Sequence, residues 1–194
     1  MILKGSLLTR EVVPFVLSFT VLVGATLMVD GMLHLLGAAW IGRHLGWPGV
    51  LLIVASFAYS LRKRGFIKSG KPVDLLRLHE RLAWTGSFLL LIHAGIHHHA
   101  LLPWLAVLAM LINIGSGLTG KFLLKRARTR LEATTERLKS EGMSAAELEE
   151  RLHWDSMTFD AVKQWRVVHY PVSLVFGTLA LAHIVSIYFY GGWR

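Results

Sequence analysis

Residues 79–95 read HERLAWTGSFLLLIHAG, and residues 165–185 read WRVVHYPVSLVFGTLALAHIV. Each stretch is strongly apolar and carries two histidines at the same separation, His79 with His93 and His169 with His183. A histidine inside a membrane-length apolar helix is costly to bury and points to function by default. A step of fourteen residues turns an α-helix through about 1400°, roughly 40° short of four full turns, and raises it by about 21 Å. Each pair therefore shares one helix face, with one member near each side of a hydrocarbon layer.

Working outward from these two stretches, the chain reads as an all-α integral membrane bundle. Of its 194 residues, 54% are hydrophobic, too many for an ordinary soluble domain. Five apolar segments stand out: Val12–Ala39, Pro48–Leu61, Leu75–His98, Leu101–Leu124 and Val167–Tyr190. A span needs roughly 20 residues, so the second is short and must borrow a turn upstream or pack against protein. The first is too long for the apolar core of a cleavable signal and reads as a retained span. One compact bundle over 1–194 is the expected organisation, with 121–166 as a helical connection between spans four and five.

Charge sets the expected orientation. All Lys and Arg except Arg43 and Arg194 fall in the N-terminus, in 62–81 or in 121–166. Basic residues collect on the cytoplasmic side of a membrane, which puts the N-terminus inside the cell and the C-terminus outside across an inner membrane. The formal charge of +9 is thus a topology signal, and nucleic acid is not expected as a partner. In the connection, Lys121 to Lys139 looks like a continuation of the fourth helix, stopped by Gly142. Ser144 and Glu147 follow with the spacing of a capping box. Pro171 falls about a turn inside the fifth helix and predicts a kink.

Spans three and five run parallel in this topology. His79 is then level with His169 on the inner side, and His93 with His183 on the outer side. Two levels, each with an imidazole from two facing helices, are what bis-histidine haem ligation requires. Zinc would instead gather three or four ligands at one level. The chain has no cysteine, which excludes disulfides, cysteine-ligated clusters and covalent haem of the C-x-x-C-H type. His97 lies one turn beyond His93 on the same face and competes with it as outer ligand; the matched spacing on the fifth span favours His93.

The two quoted runs resemble the paired haem-bearing helices of di-haem membrane cytochromes b. That group includes respiratory quinone-linked cytochromes b and ferric-reductase-like transmembrane domains. The resemblance covers spans three to five well and the first two loosely. It implies two haem b groups, the inner iron held by His79 and His169 and the outer by His93 and His183, and a role in electron transfer across the bilayer.

Several further residues bear on such a site. Gly86 lies midway between His79 and His93, and Gly177 near the middle of the fifth span. Each admits either a flat macrocycle or an ordinary helix contact. Gly115, Gly117 and Gly120 read more simply as helix contacts. Arg77, Arg81 and Arg166 sit at the inner level, as propionate partners or as interfacial anchors. Asp30 with His34, and the run His97, His98 and His99, are candidates for exchanging protons with a bound quinol. The same histidine run would equally suit an external metal ion.

The leading functional expectation is a quinone-linked membrane subunit, working with other redox subunits and lipid. Absence of a dinucleotide fingerprint leaves a quinone or another subunit as the electron partner. The alternatives are a reductase delivering electrons to an external metal, and a non-redox transporter rich in histidine.

Overall fold

A computed structural model describes residues 13–95, 101–144, 147–152 and 164–190, and every regular element among them is helical. In chain order these are α1 (Val13–Leu35), α2 (Ala39–His44), α3 (Gly46–Ser56), α4 (Ala58–Lys63), α5 (Pro72–Ala94), α6 (Leu101–Thr119), α7 (Lys125–Ser140) and α8 (Trp165–Tyr190). Four stretches are long and apolar enough to cross a bilayer: Val13–Leu35, Ala39–Lys63, Leu101–Phe122 and Val167–Tyr190. Their large apolar side chains point outward, Leu174 being 73% exposed and Leu181 62%. Exposed apolar surface repeated along every long helix suits lipid as the solvent and marks a membrane protein.

The second span is longer than its apolar run suggested. Residues 39–63 form one near-continuous rod, α2–α3–α4, which takes in the polar turn around Arg43. Two joints interrupt it, at Leu45 and Phe57, where the backbone bonds one residue short: Leu45 N–H donates to Gly42 O at 3.1 Å and Phe57 N–H to Val54 O at 3.0 Å. Both joints have local causes. Pro48 lacks an N–H and leaves His44 O without its usual donor. Ser56 Oγ donates back to Ile53 O at 2.7 Å, a contact that bends helices.

Helix α5 spans 23 residues, enough to cross, but Asp74, Arg77, Glu80 and Arg81 occupy its first three turns, and it is not among the four apolar spans. Pro72 at its start presets the helical φ, and Asp74 in the first turn complements the helix dipole. Gly95 ends it with φ 51°, a conformation glycine adopts at little cost.

The chain divides into two compact units. One comprises Thr20–Val107 with Val185–Arg194 and contains α2 to α5. Here the second span and α5 pack through glycine. A Cβ on Gly86 would fall 3.1 Å from Gly49 O, and one on Gly49 would fall 2.8 Å from Leu90 Cγ. The other comprises Met1–Phe19 with Leu108–Ile184 and contains most of α6, with α7 and most of α8. In it α6 runs through a π-helical turn, Gly120–Leu124, into α7, the continuation expected from sequence. Gly142, at φ 79°, follows the end of α7. Helix α8 continues through Pro171 without a break.

The expected capping box is present. Ser144 donates from N and Oγ to Glu147 Oε2 at 3.0 and 2.8 Å, and Glu147 N–H returns toward Ser144 Oγ at 3.5 Å. The Ser144 hydroxyl, then its backbone N–H and Arg151, hold the Glu147 carboxyl below the usual carboxylate value. A depressed folded-state pKa gives a contribution that is complete above the ordinary value and lost as pH falls through the lowered one. Acidification is therefore expected to fray the 147–152 turn, seen as faster amide exchange there. Ser144→Ala should lose that pH step; an identical step in the variant would refute the cap.

Candidate histidine-ligand site

His79 and His93 both lie on the α5 face that meets the second span. His79 Nδ1 donates to Ser56 O at 3.0 Å, and Tyr59 stands beside its ring at 6.0 Å between centroids. His93 Nδ1 donates to Arg43 O at 2.9 Å, with Gly42 O at 3.3 Å. The two principal acceptors, Arg43 O and Ser56 O, are separated along their rod by about 20 Å, close to the rise between the histidines. Each adjoins a joint of that rod. A carbonyl has two lone pairs, and near a joint one is turned outward to take a side-chain donor.

The His93 ring rests on Gly46. A Cβ there would come within 2.9 Å of Cε1 and 3.0 Å of Nδ1 and Nε2. Glycine at this position makes room for the imidazole, and neither this seat nor the two carbonyls appeared in the sequence reading. The available signal was the spacing of Gly42, Gly46 and Gly49 along the short span.

In the other unit, His169 on α8 meets α6. Ser116 Oγ donates to Asn113 O at 2.8 Å and lies 2.7 Å from His169 Nδ1. A hydroxyl with its proton on Asn113 O can accept from an imidazole Nδ1–H. Gly117 adjoins the same ring, where a Cβ would lie 3.6 Å from Cε1. Ser173 Oγ lies 2.8 Å from Asn113 Oδ1 and 2.7 Å from His169 O, a second polar tie between α6 and α8. His183 is half-buried further along α8.

These contacts share one chemical consequence. An imidazole that donates from Nδ1 carries its lone pair on Nε2, and this outer hydrogen bond orients metal-ligating histidine and raises its basicity. His79, His93 and His169 therefore have the donor chemistry that axial haem ligands need. Among the described residues no three His, Asp or Glu side chains form a metal-ion cluster.

The remaining candidates divide. Gly86 has Ile53 Cγ1 at 3.0 Å and Gly49 O at 3.1 Å from a built Cβ, so its missing side chain serves the helix contact. The corresponding position on Gly177 has nothing within 4 Å. Arg77 faces Asp74 at 3.8 Å in an exposed pair, and Arg81 is exposed. The Arg166 side chain and His97, His98 and His99 lie outside the described set. Asp30 is 4% exposed, and its Oδ2 has no hydrogen-bond partner among the described residues. His34 Nδ1 donates to Asp30 O at 2.9 Å and stands 3.6 Å from Asp30 Oδ1.

Comparison with known proteins returned no matching family model, no matching curated protein and no matching solved structure.

Proposed function

We propose that this chain is a di-haem b-type membrane cytochrome of five spans that carries electrons across the inner membrane as the quinone-linked subunit of a larger oxidoreductase. One observation carries the reading. Three histidines of the two matched pairs donate Nδ1–H to a neighbouring helix: His79 to Ser56 O, His93 to Arg43 O and His169 to Ser116 Oγ. His34 and His44 also donate Nδ1–H, but to carbonyls of their own preceding turn at 2.9 and 2.8 Å; what these three add is a partner on a neighbouring helix together with the matched spacing. The span added to the four apolar ones is α5, third in chain order, whose charged first turns lie in the basic inner interface while its apolar remainder crosses.

In this reading His79 and His169 hold the inner iron, and His93 and His183 the outer. Haem, when bound, would supply reversible one-electron chemistry, with these four histidines as the residues that would hold it. The protein's own contribution is orientation. Joint-side carbonyls and Ser116 fix each ring, Gly46 gives one of them space, and the apolar helices exclude water. Asp30 supports the quinone link, because a buried carboxyl whose Oδ2 has no hydrogen-bond partner among the described residues suits contact with the hydroxyl of a lipid-soluble hydroquinone.

The test is a reduced-minus-oxidised spectrum of the purified chain with haem counted per polypeptide. Two b-type haems with low-spin spectra are expected. Colourless protein, after expression with ample haem, would sink the proposal.

A further inference from the structure

Ser116 differs from the other acceptors in one respect: it is a side chain. His79 and His93 are held by backbone carbonyls, which the identity of the accepting residue barely affects. His169 is held by a hydroxyl that sequence can add or remove. We propose that Ser116 is a positioning residue that fixes the His169 ring in its Nδ1–H tautomer and sets the redox potential of the haem bound there. The second half of this statement rests on the di-haem reading; the tautomer does not.

The hydrogen bonding around Ser116 runs in one direction. On α6, Asn113, Ser116 and Gly117 occupy one face at helical spacing. Asn113 O, 2.8 Å from Ser116 Oγ, offers the hydroxyl proton an acceptor within its own helix. The hydroxyl's lone pairs then face His169 Nδ1 at 2.7 Å, a short contact for a neutral donor and acceptor. The Ser173 hydroxyl, between Asn113 Oδ1 and His169 O, ties the two helices together next to this contact. Even a Cβ on Gly117 would stand at an ordinary 3.6 Å from the ring's Cε1, so this glycine puts no steric pressure on the ring. An accepted Nδ1–H makes Nε2 a stronger donor toward iron and favours the oxidised metal. A serine hydroxyl is a weaker acceptor than a carbonyl, so this axial position is more weakly polarised than those of His79 and His93.

The variant Ser116→Ala tests the proposal, with Ser116→Thr as the conservative control. Alanine is a good helix former, so the fold should persist. In haem-free protein labelled at histidine, nitrogen NMR should find His169 in the Nδ1–H tautomer in the wild type and a tautomer mixture in Ser116→Ala. In haem-loaded protein, Ser116→Ala should raise the midpoint potential of one haem, change one low-spin resonance and weaken that haem's binding by about tenfold or more. Ser116→Thr should restore all three readouts. A wild-type His169 in the Nε2–H tautomer would overturn the proposal. Unchanged potentials and resonances in Ser116→Ala would do the same. If the wild type takes up no haem, the di-haem reading fails, and the tautomer measurement still judges Ser116.

Discussion

Replacing His93 by alanine is expected to halve the haem carried per chain, and replacing His97 to leave it unchanged. Spacing alone admits both residues, because four residues are about one helical turn. His97 lies outside the described residues, whereas His93 lies on α5 and its Nδ1 is bound to Arg43 O at 2.9 Å. A ring held this way is already oriented, so little freedom is lost when its Nε2 takes a metal. In the proposed reading His93→Ala would leave the outer iron with a single protein nitrogen, abolish its bis-histidine low-spin state and weaken that haem's hold on the protein. The check is a pyridine haemochrome count per polypeptide for both variants, together with the low-spin resonances. Retention of both haems in His93→Ala, or loss of one in His97→Ala, would move the outer ligand to His97. His79→Ala should remove the other haem, so the two single variants ought to show complementary spectra.

The sequence made some parts of this site visible and concealed others. Matched histidines were legible because one face of a helix recurs at fixed intervals and ionisable groups are rare in apolar helices. The sequence also offered Leu75–His98 as an apolar span, but Asp74, Arg77, Glu80 and Arg81 dilute the first turns of α5 and leave it outside the four apolar spans. The second span was under-read for a related reason: Gly42, Arg43 and Gly46 interrupt its apolar run, although the helix extends back to Ala39. Ser116 was overlooked because a serine in an apolar helix ordinarily bonds a carbonyl of its own preceding turn, as Ser116 in fact does with Asn113 O. Its second lone pair, the one that matters for His169, depends on how α6 and α8 pack. The carbonyls of Arg43 and Ser56 leave no trace in residue identity at all. Only the joints that expose them have sequence causes, in Pro48 and in the Ser56 hydroxyl.

Gly46→Ala is expected to release the outer haem while the chain remains folded. The added methyl would stand 2.9 to 3.0 Å from three atoms of the His93 ring, closer than real contacts allow. The backbone on either side is helical and packed, whereas the ring is the end of a side chain, so the ring moves. Its displacement breaks the hydrogen bond to Arg43 O, a loss of about 1 kcal/mol. Alanine's helix preference over glycine returns up to about 1 kcal/mol, which leaves thermal stability nearly unchanged. Haem affinity has no such compensation, because the ring loses the outer hydrogen bond that orients it; at least about tenfold weaker binding of one haem is expected. Gly49→Ala supplies the contrast. Its methyl would meet Leu90 Cγ at 2.8 Å and Gly86 O at 3.3 Å, so it presses two helix backbones apart and should lower thermal stability along with both haem signals. Haem counts and melting curves on the two variants therefore separate a seat for a ligand from a seat for a helix. If Gly46→Ala keeps both haems with native resonances, the ring has room that these distances deny it, and His93 is not held for iron in the way described.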